Sequence, residues 1–263
     1  MTYRTILLDF AEGVATITLN RPERLNSFTE EMHQELRQAL DAVEAPGAAR
    51  VLVLTGAGRA FSAGQDLTEA AVPADMQGFD AGATLERNYN VMLRRLRALP
   101  MPVLAAVNGI AAGAAANVAL ACDIVIAARS ASFLQAFGRL GLIPDAGGTY
   151  LLPRRVGLAR ALGLALLAEP LPAEQAEQWG LIWKCVADEE FADAVRMLAV
   201  KLAQGPTRAY TLMKRALYAG AEEPFEAQLA REIELQREAA TTADFREGVA
   251  AFLEKRAPRF TGA

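Results

Sequence analysis

A single histidine limits the acid–base chemistry that this chain can perform. His33 is the only imidazole in 263 residues, and Cys122 and Cys185 are the only thiols. A structural zinc site needs about four Cys or His ligands and a catalytic zinc usually one to three histidines, so neither is expected. A hydrolase triad would have to use His33, which we expect to be a partly exposed helical residue without a catalytic role. Carboxylates, amides and backbone N–H groups are therefore the candidates.

The first candidate segment is a loop of small residues at 55–67, after a predicted strand. Its Gly56-Ala57-Gly58 start is similar to a dinucleotide fingerprint, but Phe61 occupies the position of the third glycine. A nucleophile elbow is also incomplete, because Ala60 replaces its first glycine and the only histidine lies upstream. What remains is a loop whose backbone N–H groups can approach a ligand closely.

A second small-residue segment, 108–117, follows another predicted strand and opens a short helix. Free N–H groups and the positive end of the helix dipole would meet there, and small side chains would let a substrate carbonyl come close. Asn117 follows Ala114 by three residues and lies on the same helical face. Tight packing of the helix on a sheet would favour the same small residues, so both interpretations stay open.

Asp145 is the carboxylate of the third segment, 133–149. An aspartate before a helix start commonly serves as an N-cap, which is one interpretation. The other is a general base, since Asp145 is flanked by the apolar Ile143-Pro144 and Ala146. Partial desolvation by such neighbours raises the pKa of a carboxyl group toward values that suit proton transfer.

The elements that must position these segments alternate between strands and helices, which is typical of the α/β class. We expect strands at 5–9, 14–19, 51–55, 103–107 and 123–128, a helix capped by Ser27 or Thr29, and a helix over 85–99. Helical periodicity dominates from Gly157 onward. We therefore predict an α/β core over 1–200 and a helical region over 201–263.

Composition excludes further classes of function. The net charge of −4 and the pI near 5.3 give no reason to expect a nucleic-acid partner. Polar residues interrupt the apolar stretch 103–128, which argues against a membrane span. Two well-separated cysteines and an N-terminus without an apolar signal segment favour the cytoplasm.

Taken together, the three segments closely resemble the enoyl-CoA hydratase/isomerase family, also called the crotonase superfamily. The resemblance covers nearly the whole chain, at residues 19–26, 56–67, 105–116, 141–149 and 252–256. It implies an α/β fold of the ClpP/crotonase type, a spiral of repeated ββα units followed by a C-terminal helical region. It also implies an acyl-CoA thioester substrate, with coenzyme A as part of the substrate and no separate cofactor or metal.

The resemblance assigns roles to individual residues. In this family two backbone N–H groups bind the thioester carbonyl oxygen, and those of Gln65 and Ala114 match by motif position. One such donor typically contributes about 3–4 kcal/mol in the transition state. Contacts with coenzyme A are implied for Arg24, Ala63, Asp66, Leu67 and Lys255, the last reaching the nucleotide of a neighbouring subunit.

Two positions depart from the family's hydratases, which use two glutamates to activate water. Asn117 and Phe137 match those positions, and neither an amide nor a phenyl ring takes up a proton at neutral pH. Asp145 instead resembles the single acid of the family's isomerases that act on ring-1,2-epoxyphenylacetyl-CoA in phenylacetate catabolism or on 3-enoyl-CoA. The resemblance thus implies an isomerase in which Asp145 moves a proton and Asn117 orients the substrate or Asp145.

Two other functions stay open: an enoyl-CoA hydratase that uses Asp145 and a water, and a non-catalytic acyl-CoA-binding protein. The family forms homotrimers and dimers of trimers, so the resemblance also implies an oligomer. Its apolar contacts would come from Phe225, Leu229, Ile233, Leu235, Phe245, Val249, Phe252 and Leu253. Residues 70–88 are expected to line the acyl pocket.

Overall fold

The structure is a computed structural model that describes residues 3–68 and 80–263. Its strands are β1 (Ile6–Ala11), β2 (Val14–Leu19), β3 (Val51–Gly56), β4 (Ala60–Ser62), β5 (Val103–Val107), β6 (Ile110–Ala112), β7 (Ile124–Ala128), β8 (Ser132–Leu134), β9 (Leu171–Pro172) and β10 (Lys184–Val186). Its helices are α1 (Glu30–Val43), α2 (Ala81–Thr84), α3 (Asn90–Ala98), α4 (Ala114–Ala121), α5 (Gly148–Val156), α6 (Leu158–Leu167), α7 (Ala173–Gln178), α8 (Phe191–Ala203), α9 (Thr207–Gly220), α10 (Phe225–Ala240) and α11 (Ala243–Glu254).

The strands form two sheets. The larger sheet has the order β1-β2-β3-β5-β7-β10 and is parallel except for the β1–β2 hairpin. The smaller sheet has the order β4-β6-β8-β9, in which only β9 is antiparallel to its neighbour. Three times in succession the chain passes from a strand of the larger sheet to one of the smaller sheet and then into helix. The α/β spiral of ββα units is thus confirmed.

The central strands β3, β5 and β7 of the larger sheet are buried on both faces, which explains why they are almost continuously apolar. In β3, Leu52 and Leu54 pack into the core that α1, α3 and α4 cover. Val51 and Val53 point to the opposite face, where Ala199 and other residues of α8 pack on them. The alternation of side chains along a strand therefore divides the interior into two clusters.

Helix α1 forms as the sequence predicts. The Thr29 side chain caps it by accepting from the Met32 N–H at 3.1 Å. The apolar residues on the predicted face are all buried: Met32, Leu36, Ala39, Leu40 and Val43. The cap and the apolar stripe together define where α1 begins and which face it turns to the core.

The helix predicted over 85–99 is present, as a π-helical turn, Leu85–Tyr89, that continues into α3. One strand of the stretch 103–128 was not predicted: β6 lies between β5 and α4. Three-residue strands such as β4, β6 and β8 are too short to show a period in the sequence.

In the described ranges 3–68 and 80–263, no helix has the length and apolar character needed to cross a bilayer.

The C-terminal helices join the core through a buried lysine. Lys214 of α9 donates to the carbonyl oxygens of Leu99 and Met101 and pairs with Asp123 at 2.7 Å. Helix α8 packs on β2, β3 and β7, whereas α10 packs on α9 and α11 on α10. The domain boundary between residues 200 and 201 stays a prediction.

Candidate active site

Three segments of the site follow β4, β6 and β8, which are parallel neighbours in the smaller sheet. Their carboxyl ends therefore lie at one edge, where open α/β sheets commonly bind ligands. Residues 63–66 follow β4, Gly113 follows β6 and Gln135 follows β8. The Gly113 N–H donates to the Leu134 carbonyl oxygen at 2.7 Å, which joins two of the segments directly.

The backbone around Gln65 is held by Phe28. The Phe28 N–H donates to the Gly64 carbonyl at 2.8 Å, and the Asp66 N–H donates to the Phe28 carbonyl at 2.9 Å. In such a parallel bridge the N–H of the middle residue, Gln65, points away from Phe28. Gly64 has φ 90°, and a Cβ there would lie 2.7 Å from the Ala112 oxygen and 3.6 Å from the Ala114 nitrogen. The missing side chain thus lets the loop approach the start of α4.

Ala114 is the first residue of α4, and Gly113 is its N-cap with φ 55° and ψ −129°. The N–H groups of the first helical turn have no partners within the helix, and the dipole makes this end positive. The Phe137 ring covers the position, with its Cζ 3.9 Å from where a Gly113 Cβ would stand. The loop that carries Gln65 thus lies beside the first residue of α4. That the N–H groups of Gln65 and Ala114 bind one oxygen together stays a prediction.

Asp145 is not an N-cap, because Gly147 occupies the N-cap position of α5. Asp145 contributes its carbonyl oxygen, which accepts from the Gly148 N–H and from Asn117 Nδ2, each at 2.8 Å. Its buried Oδ1 has no hydrogen-bond partner among the residues that the structure describes. Burial raises the pKa of this carboxyl to about 6. The expected desolvation is confirmed, and the carboxyl is suited to accept a proton near neutral pH.

Asn117 holds the Asp145 segment in place. Its side chain is fully buried, and its Oδ1 accepts from Gln135 Nε2 at 2.9 Å while its Nδ2 donates to Asp145. An added Cβ at Gly148 would lie 2.3 Å from Asn117 Nδ2, so the amide fills the space beside α5. Of the two predicted tasks for Asn117, the structure shows the contact with Asp145.

Tyr89 is a further residue of the site that the sequence did not predict. Its hydroxyl donates to Gln65 Oε1 at 2.9 Å, and its side chain is 1% exposed. Burial, and then the negative charge of Asp145, raise the pKa of Tyr89 well above its ordinary value. Tyr89 thus bonds Gln65 and lies near enough to Asp145 to be affected by its charge. A lone aromatic residue in a predicted helix carries no signal for this position.

His33 is buried, and the prediction of a partly exposed side chain was wrong. It is 2% exposed, stacks on Phe28 at 5.2 Å between ring centroids and meets Tyr89 edge-on at 4.5 Å. Neither ring nitrogen has a hydrogen-bond partner in the described ranges. Burial lowers the pKa of His33 to about 4, so its ring is uncharged at neutral pH. His33 lies on α1, and its burial follows from the Phe28 and Tyr89 rings that pack against it.

The residues predicted to contact coenzyme A lie in two parts of the fold. Ala63 donates its N–H to the Leu25 carbonyl at 2.9 Å, so the exposed Arg24 lies beside the loop that carries Ala63 and the exposed Leu67. The exposed Lys255 ends α11 in a left-handed conformation.

The Asp66 carboxylate is directed into the protein. It accepts from Thr68, from Arg21 at 2.9 Å and from Ser27. These bonds, the one from Thr68 foremost, hold the pKa of Asp66 well below its ordinary value. Asp66 therefore fixes the loop through its side chain.

In the predicted acyl-pocket segment 70–88, residues 70–79 lie outside the described residues.

Comparisons with known proteins agree with this geometry. The family model for enoyl-CoA hydratase/isomerase matches residues 9–263. The 1,2-epoxyphenylacetyl-CoA isomerase of Escherichia coli is 54% identical over 257 residues, covering 98% of each protein. A Rhodobacter capsulatus protein named "Probable enoyl-CoA hydratase" is 53% identical over 262 residues, covering 100% of each. The crystal structure of an enoyl-CoA hydratase from Bacillus anthracis has a TM-score of 0.91 at 34% identity, covering 99% of this chain and 100% of the other.

Proposed function

Since this chain belongs to the enoyl-CoA hydratase/isomerase family, we propose that it is an acyl-CoA isomerase that rearranges ring-1,2-epoxyphenylacetyl-CoA. The observation that carries the proposal is the Asp145 carboxyl. Its Oδ1 is buried without a partner in the described residues, and its pKa is raised to about 6. A carboxylate with these properties beside two backbone donors can move a proton next to a thioester carbonyl.

The mechanism begins with the thioester oxygen bound by the N–H groups of Gln65 and Ala114. These donors stabilise the enolate that forms when Asp145 removes a proton from the carbon next to the carbonyl. In the epoxide substrate, the bond between the two epoxide carbons breaks while both C–O bonds stay, so that the oxygen becomes part of a seven-membered ring. The electron pair of the enolate forms a double bond to that ring, and Asp145 returns the proton to a ring carbon. In a 3-enoyl-CoA the same proton transfer moves the double bond into conjugation. Substrate and product are isomers in both cases.

A hydratase is the second candidate, favoured by the 53% identity to the Rhodobacter capsulatus protein. Direct activation of water needs a base at the positions of Asn117 and Phe137. The Asn117 amide is committed to Asp145 and Gln135, and the Phe137 ring packs against the Gly113 backbone. Neither group accepts a proton at neutral pH, so hydration would have to use Asp145 alone.

The coenzyme A portion binds, in this proposal, along the loop that carries Ala63, Asp66 and Leu67, with Arg24 beside it. The backbone of this loop is fixed by Asp66 and by Phe28, which leaves its exposed edge preorganised. Lys255 serves the nucleotide of a neighbouring subunit. The reaction requires no resident cofactor or metal, since the coenzyme arrives with the substrate.

The proposed assembly is a homotrimer or a dimer of such trimers. Large apolar side chains of α10 and α11 support it, among them Phe225, Phe252 at 83% and Leu253 at 74% exposure. Leu235, predicted to belong to the same surface, is buried within its own chain. An apolar surface of this kind typically packs against another protein. Sedimentation tests the assembly, and a monomer at micromolar concentration would reject it.

We place the enzyme in the cytoplasm, where the free thiols Cys122 and Cys185 would stay reduced.

A substrate panel tests the activity. The wild-type protein is incubated separately with ring-1,2-epoxyphenylacetyl-CoA, 3-hexenoyl-CoA and crotonyl-CoA, and products are separated by chromatography with mass detection. The proposal predicts an isomer of unchanged mass from the epoxide. Crotonyl-CoA that gains the mass of water at a comparable rate would instead identify a hydratase, and binding without turnover of any substrate would identify a non-catalytic protein.

A further inference from the structure

Phe28, Tyr89 and Gln65 form a closed set of contacts at the carbonyl-binding loop. The Phe28 backbone bonds to both neighbours of Gln65, and the Phe28 ring meets the Tyr89 ring at 5.6 Å between centroids. The Tyr89 hydroxyl then donates to the Gln65 side chain at 2.9 Å. Gln65 is thus restrained through its two neighbours and through its side chain.

Tyr89 itself is held from two directions. It ends the π-helical turn Leu85–Tyr89, a wide turn that occurs rarely and is frequently found at functional sites. The neighbouring Asn88 is 3% exposed, donates to Glu30 Oε2 at 2.7 Å and accepts from Arg37 at 3.1 Å. These bonds attach the turn to α1, while His33 packs edge-on against the Tyr89 ring. The turn and its anchors place a phenolic hydroxyl deep inside the site.

We propose that Tyr89 is a positioning residue for carbonyl binding: its hydroxyl holds the Gln65 side chain and thereby fixes the Gln65 N–H. This inference rests on the proposed function, because it assumes that the Gln65 N–H binds a thioester oxygen. The Tyr89 bond restrains Gln65 through its side chain, whereas Phe28 restrains the backbone on both sides of Gln65.

The effect should appear in turnover rather than in substrate binding. A donor aimed at the developing oxyanion acts mainly in the transition state, so a loosened donor lowers kcat and leaves KM nearly unchanged. One neutral hydrogen bond corresponds to a change of about 3- to 10-fold in rate. The Tyr89→Phe variant keeps the ring and its packing and removes only the hydroxyl.

A double-mutant cycle with Gln65→Met tests the coupling, since methionine keeps the length of the side chain and removes the acceptor. We expect each single variant to lower kcat about 3- to 10-fold, and the double variant to be no slower than Gln65→Met alone. Tyr218→Phe is the matched control, because it removes another phenolic hydrogen bond, the one to Asp123 at 2.5 Å. That variant should lose stability and keep kcat.

Exchange of the α-protons of phenylacetyl-CoA in D2O is the second readout, because it reports enolate formation without any epoxide rearrangement. We expect Tyr89→Phe to slow the exchange by the same factor as turnover. If wild-type protein exchanges these protons but does not rearrange the epoxide, the substrate proposal fails and the Tyr89 inference is still tested. The inference is overturned if Tyr89→Phe exchanges and turns over at the wild-type rate, or if its effect multiplies with that of Gln65→Met.

Discussion

The Asn117 side chain donates from Nδ2 to the backbone carbonyl oxygen of Asp145 at 2.8 Å. Asn117 lies one turn after Ala114 on α4, so a single buried helix begins at the proposed carbonyl donor and holds the segment of the proposed base. In the proposed mechanism, this short helix sets the distance between the oxyanion and the proton acceptor. This relationship assigns a task to an amide at a position where the family's hydratases carry a glutamate.

Replacing Asn117 tests this relationship. Asn117→Ala leaves Gln135 Nε2 without its acceptor and frees the Asp145 segment. We expect the free energy of unfolding to fall by about 1–3 kcal/mol, and kcat to fall more than 10-fold because the base is misplaced. Denaturant unfolding and steady-state kinetics measure the two effects. A variant that loses stability but retains the wild-type kcat would show that Asn117 supports the fold only.

The pH profile tests the protonation state of Asp145. Burial raises its pKa to about 6, and only the ionised carboxylate accepts a proton. We expect kcat/KM to increase about 10-fold per pH unit below pH 6 and to level off above it. The residual turnover of Asp145→Asn should not show this rise of kcat/KM with pH. A flat wild-type profile between pH 5 and 8 would argue against a base with this pKa.

Substitution of Gly64 tests whether the carbonyl-binding loop must lie close to α4. In Gly64→Ala the new Cβ would lie 2.7 Å from the Ala112 oxygen, at a φ of 90° that alanine rarely adopts. The loop must move, and loss of one oxyanion donor costs about 100-fold or more in kcat.

Gly163→Ala is the matched control. Gly163 lies in α6, and a Cβ added there meets no atom of the described residues within 4 Å. It should raise stability by up to about 1 kcal/mol without changing kcat. Equal kcat values for the two variants would contradict the assignment of the loop.

The lowered pKa of His33 should make the free energy of unfolding depend on pH. Its pKa is about 4 in the folded protein and 6.5 in the unfolded chain, so the unfolded chain binds the proton first as the pH falls. The contribution of His33 to stability is complete above pH 6.5 and is lost as the pH falls toward 4. Between pH 7 and 4.5, wild-type protein should lose about 2 kcal/mol more than His33→Leu. Urea unfolding at both values measures the difference, and parallel losses would indicate an exposed or paired imidazole.

Much of the site could be predicted because its residues occupy motifs that keep their spacing in the chain. The structure brings the loop of Gln65 beside Ala114 and joins Asn117 to Asp145, since each of these segments follows a strand or lies near a helix start. Their catalytic roles stay predictions. The N-cap alternative for Asp145 could be rejected only from the structure, because an N-cap and a buried base share the same position before a helix.

The rest of the site depends on contacts that leave no local pattern. Strands β4, β6 and β8 have three residues each, too few for a detectable alternation, yet their pairing brings the segments to one edge. Tyr89 and His33 meet across elements that are far apart in the sequence. The position of His33 between Met32 and Gln34 gave no indication of its burial, which depends on the Phe28 and Tyr89 rings packed on it.

Turnover of ring-1,2-epoxyphenylacetyl-CoA by Asp145→Asn is the measurement that tests the central claim most directly. The variant keeps the shape of the side chain and the contacts of the Asp145 main-chain carbonyl, and it removes the ability to take up a proton. We predict a loss of about 10²- to 10⁴-fold in kcat, with a melting temperature no lower than that of the wild-type protein and unchanged affinity for coenzyme A. A folded Asp145→Asn protein that rearranges the epoxide at the wild-type rate would contradict the assignment of Asp145 as the base.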